Sequence, residues 1–224
     1  MHGIELRDAR VHYGPLEALH GITLAAPAAA LTVLLGRNGA GRTTVLRALA
    51  GTVPLSAGTV VRDGRDITRR PAHERAAQGL CFVPDRAAVF SSLTVAENLN
   101  LAARDNAPAL DTYPELRPLL SHRAGTLSGG EQRMLALSRA VLSKATVILV
   151  DEPTQGMSPS TATRTYALLQ SLDACVVLAE QRLPPGLRKG AGRTTIVHEL
   201  RRGEIVFSGE AAELSPARSR YAPE

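Results

Sequence analysis

The first thirty residues alternate apolar and polar positions, in "IELRDARVHYG" and again in "ALHGITLAA", as strands with one buried face do. The alternation then stops. "ALTVLLG" is a continuous apolar run ending in glycine, which predicts a short parallel strand covered on both faces. The next stretch, "TTVLRALAG", has helical spacing and closes on Gly51, a residue suited to the left-handed turn that ends a helix. Two more buried strands are expected at "ATVILVDEP" and "DACVVLAEQ", and a closing hairpin where "TTIVHEL" and "EIVFSGE" flank a turn at Arg202 and Gly203. From about Asp85 to Ala140 the pattern turns helical and polar, with turn residues near "DNAPALDTYPELRP". Strands separated by helical stretches predict an α/β fold with a mainly parallel core sheet and an inserted helical subdomain at about 85–140, in a single domain spanning 1–224. The tail "SPARSRYAPE" is expected to be poorly ordered.

Composition narrows the picture little. The net charge of +5 suits nucleic acid, an anionic membrane surface or a phosphate-bearing ligand. Aromatic residues are only 3% with no Trp, which argues against a stacking surface for single-stranded nucleic acid. No apolar run has transmembrane length, and "MHGIELRDAR" lacks a signal-peptide layout, so a cytosolic chain is expected. Cys81 and Cys175 lie in apolar runs and are expected to be buried free thiols. Of the 26 basic residues only Lys144 and Lys189 are lysines, so arginine serves almost everywhere a cation is needed.

Three stretches carry chemistry. "GRNGAGRTT" (36–44) sits between a predicted strand and a predicted helix and reads as G-x-x-x-x-G-K-[ST] with Arg42 in place of the lysine. Gly36, Gly39 and Gly41 let the backbone bend so that the amides of this loop (Arg37, Asn38, Ala40 and Thr44 among them) converge on phosphate oxygens. The helix N-terminus adds positive charge, and Thr43 is placed to ligate Mg²⁺. "VILVDEP" runs into Asp151, which can hold Mg²⁺ through water, and Glu152, which can orient and deprotonate an attacking water. "LSGGEQR" (127–133) contains a capping box, Ser128 with Glu131. That box leaves Gly129 and Gly130 unexplained, and two glycines there permit close approach to a phosphate.

Together these stretches resemble the nucleotide-binding subunit of ATP-binding cassette (ABC) transporters over nearly the whole chain, "LSGGE" being that family's signature. "VPDRAAVFSSLTVAENLNLAA", "TLSGGEQRMLALSRAV" and "VVLAEQR" look like the ATPases of branched-chain amino acid importers. The resemblance implies a P-loop NTPase core with an N-terminal antiparallel β subdomain, and ATP with Mg²⁺ as ligands. It places Tyr13 against adenine and makes "PTQGMSP" (153–159) the loop joining two subunits. It further implies a head-to-tail pairing with a second ATPase subunit, in which Leu127, Ser128, Gly129, Gly130 and Glu131 act on the partner's ATP. Asp85 stands near the residue that links Mg²⁺ to the membrane partner, and Gln181 where a histidine meets the γ-phosphate. The other implied partners are transmembrane permease subunits, with Asp85–Asn100 as docking segment, and indirectly a solute-binding protein. No nucleic acid is expected, and the chain would sit peripherally on the inner face of the cell membrane.

Arg42 is the anomaly. Two explanations compete: the general replacement of lysine by arginine, or a site that binds ATP and hydrolyses it slowly inside an asymmetric pair with a different chain. A soluble ABC ATPase outside transport, and an ATP-sensing subunit with little catalysis, are the remaining alternatives.

Overall fold

The alternating N-terminal segments form β1 (Ile4–Tyr13) and β2 (Leu16–Ala26), paired antiparallel. The buried positions of β1 fall at Ile4 and Leu6, then at Ala9 and Val11, so the two-residue period slips by one. A bulge absorbs the slip: the register shifts between Leu6 and Ala9, and Asp8 takes φ 48°. The computed structural model describes residues 3–188 and 192–214. Lys189 and the stretch 215–224, expected to be poorly ordered, lie outside the described residues.

The continuous apolar run becomes β3 (Leu31–Leu35), buried at every position. The glycine loop leads into α1 (Arg42–Ala50), closed by Gly51 at φ 75° as its spacing predicts. There follow β4 (Ala57–Arg62), β5 (Arg65–Asp66), α2 (Ala72–Ala77), β6 (Leu80–Val83), α3 (Val95–Asn100) and α4 (Ala107–Thr112). The chain continues through α5 (Gly129–Leu142), β7 (Val147–Asp151), α6 (Pro159–Ser171), β8 (Cys175–Glu180) and α7 (Pro185–Arg188) to the hairpin β9 (Thr195–Arg201) and β10 (Glu204–Glu210). One sheet has four strands in the order β2-β1-β4-β5; the other has six, β10-β9-β3-β8-β7-β6. The four-stranded sheet is antiparallel, and the six-stranded sheet is parallel except at the β9–β10 hairpin. An α/β fold with a mainly parallel core sheet and an N-terminal antiparallel sheet is therefore what the chain adopts.

The parallel strands point alternate side chains into two cores. Leu34, Val147, Leu149, Cys175 and Val177 join α1 and the antiparallel sheet. Leu31, Val33, Ile148, Val150, Val176 and Leu178 face the helical layer of α3, α4 and α5. Covering both faces removes the polar alternation, which is why these strands read as unbroken apolar runs. Buried Arg75 donates to the carbonyls of Ala48 and Leu49, at 2.8 and 2.7 Å, closing the C-terminal end of α1.

Two expectations need correction. The helical pattern does not begin at Asp85: residues 85–93 form an irregular loop and the helix starts at Val95. Fully buried Asn98 explains the loop, since its amide exchanges hydrogen bonds with the N–H and C=O of Phe90 and donates to Thr94 O. Those bonds satisfy backbone groups that a helix would otherwise satisfy. Both cysteines are free, as expected, but only Cys175 is fully buried; Cys81 is half-buried on the edge strand β6.

Candidate active site

β3 ends in the middle of its sheet, between β8 and β9, and the glycine loop starts there. This is the carboxyl edge of the parallel strands, where open α/β sheets leave a crevice for ligands. Gly39 and Gly41 take φ 79° and 107°, and Gly41 caps α1 in a left-handed conformation with no side-chain cap and no acidic residue in the first turn. The first amides of α1 are thus free for an anion. Gly36 serves differently: its N–H donates to Glu180 O, and a Cβ there would stand 2.6 Å from Leu200 O. Its work is the close approach to β9.

A cavity of about 760 Å³ opens over this loop. The structure brings to it Tyr13, Arg37, Asn38, Gly39, Ala40, Gly41, Arg42, Thr43, Thr44, Asp85, Asp151, Glu152 and Gln181, every sequence-predicted residue of this chain's own nucleotide site except Gly36. Tyr13, at the end of β1, is 42% exposed, so its ring is available to a ligand. Ser128, Gly129, Gly130, Leu127 and Glu131 are absent from that lining and lie around the start of α5. Gly129 lines a second cavity of about 340 Å³, which shares Asp85, Arg86 and Gln155 with the first.

The two acidic residues after β7 have different surroundings. Asp151 is 1% exposed and accepts a hydrogen bond from the Thr43 hydroxyl at 2.7 Å. Burial pushes its carboxyl above the usual range, the Thr43 bond opposing, and a cation would relieve that cost. Among the described residues no three carboxylate, imidazole or thiol groups converge as a metal cage. The Thr43 hydroxyl and the Asp151 carboxylate are hard oxygen donors, a set that fits Mg²⁺, which takes few protein oxygens and completes its shell with phosphate and water. Glu152 sits at φ 48°, its amide bonded to Ala179 O at 3.0 Å. Its Oε1 accepts from Gln181 Nε2 and from Arg42 Nη2, each at 3.1 Å, and no donor among the described residues reaches Oε2. Arg42 is 5% exposed, also bonds Asn38 Oδ1 at 3.4 Å through Nη2, and leaves Nη1 buried without an acceptor among the described residues.

At α5 the capping box is formed, with Glu131 N–H donating to Ser128 Oγ and Ser128 N–H to Glu131 Oε2. The two glycines separate. A Cβ at Gly130 would meet Gly156 O at 2.5 Å, whereas Gly129 has nothing within 4 Å. Gly130 is required by the loop 153–158 of its own chain, and Gly129 is the one left facing open space.

Sequence reasoning missed two arrangements. Arg133, the last residue of "LSGGEQR", is 4% exposed and donates to Pro84 O and Asp151 O at 2.6 Å each, tying the ends of β6 and β7 together beside Asp85 and Asp151. An arginine inside an apolar helix stripe was the available signal. The second is a clasp in which the Tyr166 hydroxyl bonds both the Glu180 carboxylate and the Thr154 hydroxyl, linking β8, α6 and the loop after Glu152. No local motif announces it.

Burial, reinforced by the charge of Glu152 and partly opposed by the Tyr166 bond, pushes Glu180 from 4.5 up to about 7. A raised folded-state value means the native chain holds this proton more tightly than the unfolded chain. The carboxylate accordingly costs stability above pH 7, and the cost fades as pH falls toward 4.5. Glu180→Gln, which keeps an acceptor for Tyr166, should raise stability by roughly 2–3 kcal/mol at pH 8 and by little near pH 4.5. Denaturant midpoints at the two pH values check this; a gain independent of pH would contradict it.

Residues 19–155 match the family described as ABC transporter. Over 197 residues, 82% of each chain, the sequence is 36% identical to the probable branched-chain amino acid transport ATP-binding protein LivF of Archaeoglobus fulgidus. It is 33% identical, over 91% of each chain, to the high-affinity branched-chain amino acid transport ATP-binding protein BraG of Pseudomonas aeruginosa. In fold it is similar to a dimeric ATP-binding cassette solved in a post-hydrolysis state with ADP and Pi. That likeness has a TM-score of 0.80, at 21% identity, over 93% of this chain and 98% of the other.

Proposed function

The chain belongs to the ABC transporter family, and from that membership we propose that it is the motor subunit of an importer for branched-chain amino acids or similar small solutes. It is an ATP-binding subunit and an ATP hydrolase. The observation that carries the assignment of residues is the single cavity shared by the glycine loop, the Thr43–Asp151 pair and Glu152. The triphosphate would lie along the amides of 37–44 at the N-terminus of α1, with adenine against Tyr13. Thr43 and Asp151 would hold Mg²⁺, with Asp85 across the cavity; when bound, the ion neutralises phosphate charge. Glu152 Oε2 would take a proton from water as that water's oxygen attacks the γ-phosphorus, and the bond to the β-phosphate oxygen breaks to give ADP and inorganic phosphate. Gln181 donates to Glu152 and, lining the same cavity, would come within reach of that phosphate.

The alternative of a hydrolysis-impaired subunit gains no support, because Glu152 is present and held by two donors. The names of LivF and BraG support the choice of solute. Dimerisation follows from the same reading. Ser128 and Gly129, outside the lining of this chain's own cavity, would meet the nucleotide of a second ATPase subunit, a different chain on our reading, arranged head to tail. The segment 85–100, loop and α3 together, with Phe90 51% exposed, would dock the permease on the inner face of the membrane, and a solute-binding protein would deliver the cargo. Among the described residues no helix is long and apolar enough to cross a membrane, so attachment would run through that permease. Uptake of labelled leucine, compared with urea and small amides, in cells deleted for this chain tests the proposal. Loss of leucine uptake, restored by the native chain, is expected; unchanged uptake of leucine with loss of another solute would overturn the choice of cargo.

A further inference from the structure

The phosphate loop of this chain carries a guanidinium where a single ammonium would suffice to meet a phosphate, and the two branches of that guanidinium have different environments. Nη2 donates to Glu152 Oε1 at 3.1 Å and to Asn38 Oδ1 at 3.4 Å. Nη1 is buried and has no acceptor among the described residues, although the side chain is only 6% exposed. A charged donor left so is costly, and buried donors are nearly always paired. Arg42 lines the cavity over the glycine loop, where the incoming ligand is rich in oxygen anions. We infer that Arg42 is a two-branched bridge: Nη1 takes a phosphate oxygen of the nucleotide while Nη2 goes on holding Glu152. This rests on the reading of the cavity as an ATP site and of Glu152 as the general base.

Three facts favour the bridge over a worn-out lysine position. The pair Arg42–Glu152 spans 110 residues of sequence, so it is built by the fold and not by chain proximity. Glu152 Oε1 is occupied twice, by Arg42 and by Gln181, which fixes the carboxylate plane and leaves Oε2 as the oxygen free to receive a proton. A guanidinium has donors enough for both tasks in a rigid fork, whereas lysine offers a compact point charge that meets the phosphate and reaches no further. Arg42 is thus a positioning residue for Glu152 as well as a phosphate ligand.

The test uses the assembled transporter purified with this chain native or Arg42→Lys, each with and without Glu152→Gln. Steady-state ATP turnover is measured beside equilibrium binding of Mg-AMP-PNP. Lysine keeps the charge and loses the hold on Glu152, so kcat should fall about 10- to 100-fold while KM and AMP-PNP affinity stay nearly unchanged. In the Glu152→Gln background the same exchange should change the residual turnover little, because the effect passes through Glu152. A rise in kcat for Arg42→Lys would overturn the bridge and restore the worn-out lysine. A loss confined to KM and affinity would also overturn it, leaving Arg42 as phosphate ligand only. Failure of the native chain to bind AMP-PNP would overturn the ATP-site reading itself, a different result from either. Should Arg42→Lys not fold, a structure of the native chain with Mg-AMP-PNP decides: Arg42 must contact phosphate and Glu152 at once, and an Arg42 released from Glu152 refutes the inference.

Discussion

Glu152→Gln should reduce ATP turnover by about 10²–10⁴-fold, the usual contribution of a general base, and leave nucleotide binding intact. The exchange is close to isosteric, and the geometry shows which oxygen matters. Oε1 accepts from Arg42 and Gln181, and an amide oxygen in its place keeps both bonds. The amide NH₂ then replaces Oε2, the atom with no donor among the described residues, and an amide nitrogen cannot accept the proton of an attacking water. Gln181→Ala should be milder, since it removes one of two donors on Oε1 and leaves the proton-accepting oxygen untouched. Parallel measurement of turnover and of AMP-PNP affinity checks both. If Glu152→Gln retained turnover within a few-fold of native, Glu152 could not be the base, and Asp85, which lines the same cavity, would have to be tested in its place.

What the sequence disclosed follows from the range of the interactions concerned. β3, β7 and β8 read as strands because both faces are covered, and their carboxyl ends carry the glycine loop, Asp151–Glu152 and Gln181 next in sequence. Local signals that went unused were also present. Asp63 and Gly64, at φ 53° and 76°, form the tight turn between β4 and β5, a pairing that Asp-Gly favours. Ser158 followed by Pro159 opens α6 with a serine cap and proline in the first turn. β6 was harder, being four residues at the edge of the sheet and only partly buried. Arg42–Glu152 and Tyr166 on Glu180 could not be read at all, and for Arg133 the sequence offers an arginine in an apolar stripe but not its partners Pro84 and Asp151. Each joins side chains brought together by the sheet order, which no spacing in the sequence encodes.

The sharpest contrast of effects lies in the two adjacent glycines of "LSGGE". Gly130→Ala should destabilise the chain by about 1–3 kcal/mol, the usual cost of forcing a methyl into packed structure. The added carbon would stand 2.5 Å from Gly156 O, a backbone atom that can retreat only by moving the loop 153–158, which carries Thr154 of the Tyr166 clasp and Gln155 of both cavities. Gly129→Ala should have no such cost and should stabilise by up to roughly 1 kcal/mol, since alanine is the better helix former and nothing lies within 4 Å. Turnover should nevertheless fall in both variants. For Gly130→Ala the cause is the displaced loop. For Gly129→Ala it is the methyl facing the space where, on our reading, the partner's triphosphate lies against the N-terminus of α5. A stable Gly129→Ala that hydrolyses poorly therefore separates recognition of a second subunit's nucleotide from support of this chain's own fold. A stable Gly129→Ala with native turnover in the assembled transporter would mean that no nucleotide approaches this face, and the head-to-tail arrangement would fail with it.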